Sequence, residues 1–207
     1  MILSAFLICF LAAGCGGGSG SSGEPSSYTY KDQKVSLPAP PQRIVPLSAP
    51  LLNMLYAVGG TAAARPDTTS PIPEAAKDLP ELGHVQNINM ETLVGLTPDL
   101  VIGEKDQNSK LVPLLQSSKI PYIIINYDGI EDNVDLLFFM GQISGNTEKA
   151  QKVIDTYKKG VDAAVKKSES YTPARIAVLR ATGKSVTAET PQSITASMCA
   201  ALHMQNI

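Results

Sequence analysis

The sequence predicts an α/β protein with a mainly parallel sheet covered on both faces. Three observations predict it. From residue 43 onward, short apolar strand segments alternate with helical patterns through short loops. The strand segments at 99–103 (DLVIG) and 121–126 (PYIIIN) are continuously apolar, as strands buried on both faces are. A single long amphipathic segment, 146–168, then separates this unit from the start of a second one.

The chain opens on an apolar run, Met1 to Gly14, with no charge before Glu24. Such a run is too short to span a bilayer and suits the apolar region of a signal peptide. The tract GGGSGSSGEPSS at 16–27 reads as a flexible tether. Residues 28–42 alternate weakly and meet Pro38, Pro40 and Pro41, which predicts an edge strand running into a turn. Arg43 to Leu47 is a short strand. Ser48-Ala49-Pro50 opens a helix that buries Leu51, Leu52, Leu55 and Val58 and stops at Gly59-Gly60. A short strand at Thr61 to Arg65 and a polar loop from Arg65 to Pro73 follow.

Asn89 caps a short helix through Leu96, with Met90, Leu93 and Val94 at helical spacing. Helices at Ser109 to Ser118 and Glu131 to Ile143 flank the PYIIIN strand. In 146–168, Ala150, Val153, Ile154, Tyr157, Val161, Ala164 and Val165 share one stripe of a helix. Roughly 22 residues make it about 33 Å long. ARIAVLR (174–180) is a strand, and Ile194 to Leu202 a helix. The segment after the long helix is too short for a core of its own.

In parallel α/β sheets, ligands bind beyond the carboxyl ends of the strands. Here those ends carry Ser48 to Pro50, Arg65 to Thr69, Glu104 to Asp106 and Tyr127-Asp128.

Composition narrows the function. The 207 residues carry 17 Lys+Arg against 19 Asp+Glu, a net charge of −2, which argues against a nucleic-acid partner. Aromatic residues are 5% and Trp is absent, so the core is aliphatic. Two His and three Cys fit no four-ligand zinc spacing. Cys9 lies in the signal run and Cys15 ends it, leaving Cys199 without an intramolecular disulfide partner. GKS at 183–185 lacks the first glycine of a phosphate-binding loop, since position 178 is Val. Ser48 and His84 could offer a nucleophile and a base, but no GxSxG elbow is present. None of these motifs supplies a catalytic site or a catalytic cofactor.

Several of these segments carry a family resemblance. LAAGC (11–15) is similar to a bacterial lipobox, with Ala12 where Leu is usual. PQRIVPL (41–47), LPELGHVQNINMETLVGLTPDLVI (79–102) and the long helix follow in order. Together they resemble the substrate-binding lipoproteins of ABC importers for iron complexes and vitamin B12, from about Pro41 to Ile207. The resemblance implies two α/β lobes, each with a parallel sheet, joined by one rigid helix, with the ligand between them. It divides the chain into a signal peptide (1–14) and a lipidated Cys15 with tether and lead-in strand (15–40). An N-terminal lobe (41–145), an interlobe helix (146–169) and an incomplete C-terminal lobe (170–207) follow. His203-Met204 stand where the family usually has two glycines.

The resemblance further implies capture rather than catalysis, by a monomer held outside the cytoplasmic membrane by lipid on Cys15. It would deliver its cargo to a permease dimer driven by an ATPase. The family's acidic docking residue aligns with Glu81, or with nearby Glu74; the matching second-lobe position, Ser197, is not acidic. The expected ligand set is Ser48, Arg65, His84, Lys105, Tyr127 and Arg180. Haem-binding members often carry an axial Tyr or His at the position of His84, so His84 is a metal ligand, a cleft-lining residue without metal, or a structural loop residue. Arg65, Lys105 and Arg180 suit a ferric siderophore, because cationic side chains hold anionic oxygens. Haem and ferric siderophore rank ahead of cobalamin, whose sites in this family are usually aromatic.

Overall fold

The computed structural model describes residues 25–126, 129–181, 185–191 and 193–207. Cys15, expected to carry lipid, and Tyr127, expected in the cleft, lie outside the described residues.

The described chain opens with a hairpin, β1 (Ser26–Tyr30) and β2 (Gln33–Leu37), then β3 (Ile44–Pro46), α1 (Ala49–Ala57) and β4 (Arg65–Asp67). After a 3-10 turn come β5 (Glu81–His84), α2 (Met90–Gly95), β6 (Leu100–Glu104), α3 (Lys105–Asn108) and α4 (Val112–Ser117). Then come β7 (Tyr122–Ile125), α5 (Ile130–Ile143) and the long α6 (Thr147–Ser168). The last elements are β8 (Arg175–Ile176), β9 (Leu179–Ala181), β10 (Val186–Ala188), α7 (Ile194–Ala201) and β11 (Gln205–Asn206).

The central sheet is parallel, in the order β3-β6-β7. Backbone bonds from Ala63 to Ile44 and from Arg65 to Pro80 extend it toward the parallel pair β4-β5. Side chains along each strand alternate between its faces. Ile44, Leu100, Ile102, Ile123 and Ile125 pack with α1, α5 and the hairpin residues Tyr30 and Leu37. Val45 and Val101 pack on the other face with Leu82, Leu93, Leu111 and Leu115. Both faces are therefore covered, as the unbroken apolar strands predict. The long helix α6 leans on α5 and adds Ala150 and Ile154 to the first cluster. A Cβ on Gly141 would come within 2.3 Å of the Ala150 Cβ, so only glycine permits this approach of the two helices.

Two polar side chains fasten the sheet ends. Asp99, before β6, accepts the Gln42 and Arg43 N–H groups at 2.9 and 2.8 Å and pairs with the Arg43 guanidinium at 3.2 Å. This explains why PQRIV and PDLVI belong together: the acid of one holds the start of the other. At the far edge, the Gln33 carboxamide donates to Ile124 O at 2.6 Å and accepts from Ile124 N at 3.0 Å. It occupies both backbone groups of Ile124 on β7.

The elements differ from expectation at five places. Residues 28–42 form a hairpin, not one strand, because Lys31 turns the chain at φ 51 without the usual glycine. The strand expected at Thr61 to Arg65 begins at Arg65 instead, where Pro66 is buried and β5 provides a partner. Glu81 and His84, to which the sequence assigned no element, lie on that partner strand. The helix expected from Ser109 starts at Lys105 and is broken by a 3-10 turn. ARIAVLR is two strands with different partners: β8 pairs with β11 and β9 with β10. The Asn206 side chain accepts the Val178 N–H at 3.1 Å, at the point where the strand changes partner.

After α6, Ala196 is the one apolar side chain buried among the described residues, while Tyr171, Leu179, Val186, Met198 and Ile207 are exposed. Helix α7 ends in a Schellman turn: His203 N–H bonds Ala200 O, and Met204 N–H bonds Cys199 O. His203 adopts φ 62 there, the left-handed conformation that glycine takes without cost.

Two predictions follow from these geometries. Asp99→Ala should lower unfolding stability by about 2 kcal/mol, read from the urea midpoint, since it strips an ionic acceptor from two N–H groups. His203→Gly should raise stability by about 0.5–1 kcal/mol, with a higher midpoint in the same titration, by relieving the left-handed turn.

Candidate functional site

Two open cavities of about 420 Å³ each adjoin at the carboxyl ends of the parallel strands, sharing Glu104 and Gln107 in their walls. The first is lined by Glu104 to Gln107, Ile125 and Asn126 on one side. Arg180, Glu189, Thr190, Ser193 and Ile194 line it on the other. The second runs past Ser48 to Pro50, Pro66 to Ser70, and His84-Val85.

The floor is set by two buried polar side chains. Ser48 is 4% exposed and caps α1, accepting the Leu51 N–H at 3.5 Å. Its hydroxyl donates to the Glu104 carboxylate at the end of β6. Asn108 is fully buried; it accepts the Glu104 N–H at 2.8 Å and donates to Val85 O at 2.8 Å. The ends of β3, β5 and β6 are thus tied together beneath the cavities. Unpaired, a buried amide of this kind would cost about 1–3 kcal/mol; among the described residues, no buried side-chain N or O lacks a partner.

His84 stands exposed in the wall of the second cavity. Its Nδ1 accepts the Gln86 N–H at 3.4 Å. Lys105 and Arg180 line the first cavity. Arg180 is bonded through Nε to the Glu189 carboxylate. That hydrogen bond, together with the attraction between the charges, holds the Glu189 carboxyl below its ordinary range and pushes the Arg180 guanidinium up.

Arg65, expected in the cleft, is engaged elsewhere. It lines neither cavity; its guanidinium pairs with Glu81 and donates to Lys77 O at 3.0 Å. The register of β4 on β5 places Arg65 opposite Glu81, at the strand ends remote from the cavities. Glu81 is half exposed in that pair, and Glu74 pairs with Lys77 at 2.6 Å. Asp67 and Glu104 lie in the stretches expected at the ligand-binding strand ends without being singled out as contacts, and Glu189 was not anticipated; all three line the cavities. The polar residue closing the apolar strand LVIGE was the available signal for Glu104. Among the described residues, no group of three or more His, Cys, Asp or Glu is placed to hold a metal ion. No described helix is long and apolar enough to cross a membrane.

Residues 44–207 match the family described as periplasmic binding protein, and the chain belongs to that family. It is 26% identical over 142 residues to the vitamin B12-binding protein of Pectobacterium atrosepticum, covering 68% of this chain and 51% of that protein. It is 25% identical over 195 residues to the iron(3+)-hydroxamate-binding protein FhuD of Bacillus subtilis, covering 88% of this chain and 60% of that protein. The chain therefore spans between half and about three fifths of these two relatives' length. In fold it is similar to the heme complex of IsdE from S. aureus, with a TM-score of 0.73 and 18% identity. That likeness covers 80% of this chain and 64% of the solved one.

The Arg180–Glu189 pair carries a pH prediction. The carboxyl of Glu189 is depressed on folding, so the pair's contribution is complete above the unfolded value of about 4.3. It is lost as pH falls through the lower folded value. Hydrogen exchange of residues 178–181 and 185–189 should accelerate as pH falls below about 4.3 more in the native chain than in Glu189→Gln, after correction for intrinsic rates.

Proposed function

We propose that this chain is the extracytoplasmic substrate-binding part of an ABC importer, capturing an iron complex and passing it to a membrane permease driven by an ATPase. The observation that carries this reading is the basin at the strand ends, built on a fully paired polar floor and opening between segments on either side of α6. Membership of the periplasmic binding protein family supports it. So does the chain's similarity to FhuD, an iron(3+)-hydroxamate-binding protein. Residues 41–145 and 170–207 would be the lobes and 146–169 their connecting helix. Lipid on Cys15 would anchor a monomer at the membrane surface, and Glu81 or Glu74 would meet the permease.

A ferric siderophore fits the polar walls best. Ser48, Lys105, Arg180 and His84 are the proposed ligand contacts, with Tyr127 at the end of β7. The Gln86 N–H on Nδ1 suits His84 to donate through Nε2–H, whereas an axial metal ligand needs the Nε2 lone pair and a donating Nδ1–H. Haem held by His84 is the second reading, carried by the place of that imidazole in the cavity wall. Cobalamin is the third, supported by the B12-binding relatives.

The test is a pair of titrations. A ferric siderophore should quench tyrosine fluorescence saturably, with Kd about 1 μM or tighter. Haemin should give no Soret shift that His84→Ala abolishes. A sharp Soret band lost in His84→Ala would replace the siderophore reading by haem capture, and no saturable change with any complex would sink capture itself.

A further inference from the structure

The central sheet ends at β7, and the outer edge of that strand is covered only in part. In a parallel ladder, alternate residues of a strand turn both backbone groups to the same neighbour. Val101 N–H donates to Pro121 O at 2.9 Å, so Pro121, Ile123 and Ile125 face β6. Tyr122, Ile124 and Asn126 therefore face the outer edge. Gln33 occupies both groups of Ile124, and Tyr30 and Lys31 donate to Asn126 O at 3.4 and 3.0 Å. Among the described residues, no side chain closes the edge at Tyr122 in this way. The Tyr122 hydroxyl itself accepts from the Gln116 carboxamide at 2.9 Å.

This stretch of edge is one wall of an open groove of about 520 Å³, lined by Gln33 to Ser36, Gln116, and Lys119 to Ile123. Lys34 and Lys119 stand exposed in it, and no acid lines it. Neither lysine forms an ion pair among the described residues. The turn that carries Lys119 is held in place: the Lys119 and Ile120 N–H groups bond Gln116 O and Leu115 O at 3.0 and 2.9 Å. The groove lies by the amino end of β7, whereas the two cavities lie at the carboxyl ends of the strands.

We propose that this groove docks a short, extended, acidic segment of a partner protein. One peptide group of the segment pairs with Tyr122, and flanking carboxylates meet Lys34 and Lys119. Two features select this occupant. The edge at Tyr122 offers one donor and one acceptor, which a peptide group matches and a phosphodiester, which only accepts, does not. The two lysines complement carboxylates, with no acid in the groove to compete for them. Gln33 limits the pairing to the start of β7, so the segment cannot template a further strand.

The experiment uses the full chain and fluorescence anisotropy. The probes are short, capped, labelled peptides of Val and Thr carrying two Glu at every pair of positions, each with a Gln twin. At least one should bind with Kd about 100 μM or tighter, and its Gln twin about tenfold more weakly at low salt. Methylating the peptide nitrogens of that probe in turn should find one whose loss weakens binding about tenfold. Lys34→Gln with Lys119→Gln should abolish the preference for Glu and leave the urea midpoint unchanged, because both side chains are exposed. Inorganic phosphate and phosphatidylglycerol vesicles are the competing probes. Binding of either, lost in the double variant while no peptide binds, makes this an anion site and overturns the peptide. A dimer in sedimentation velocity that the double variant dissolves makes the occupant a second copy and overturns the partner. No peptide binding better than its Gln twin overturns the proposal outright. None of these readouts uses cargo, so capture stands or falls separately.

Discussion

The structure depends first on the buried tie between Ser48, Glu104 and Asn108. Residues 56 and 60 positions from Ser48 in the chain meet at the ends of three strands, and each polar atom finds its partner there. Polar groups removed from water persist only when so paired. The tie therefore does more than stabilise: it fixes where the loops after β3, β5 and β6 begin. His84 and Lys105 inherit their positions from it, and Asp67 is held nearby through the pairing of β4 with β5. A binding surface made of loops thus rests on a framework with little freedom to rearrange.

Behind that framework lies a sheet with apolar side chains on both faces and a long helix that closes one of them. The Gly141–Ala150 contact brings α6 against α5, and the Asn146 side chain donates to Gly59 O at 3.2 Å, tying the start of α6 to the end of α1. The far half of α6 and the segment beyond it bury little by comparison. Order is concentrated where the sheet is covered, and the wall that the segment after α6 gives to the first cavity is held by polar bonds of Asn206, Glu189 and Arg180.

Sequence reasoning reached the parts whose signals are local. β6 and β7 are runs of buried aliphatic residues, α1 is announced by Ser48 and Pro50, and α6 by its stripe. The PDLVI and PQRIV segments carried the family resemblance, and Asp99 supplies the physical reason for their association. What escaped was non-local. The hairpin turns at Lys31-Asp32 without glycine, and β4 and β5 are strands mainly because each is the other's partner. Arg65 is a cation near a strand end, so it read as a cleft residue; nothing in the local sequence revealed that Glu81, 16 residues on, would take it. Glu104 was legible as a strand end but not as a shared wall, since that role requires Ser48 beside it.

The Gln33 carboxamide has a consequence for solubility. β7 ends the central sheet, and an open strand edge invites another chain to add a strand. Gln33 places its own donor and acceptor on Ile124, imitating a neighbouring peptide group while offering nothing to propagate. One polar side chain thereby closes the template in the middle of β7, and the hairpin that carries it shields the most aliphatic strand of the protein from edge-to-edge aggregation.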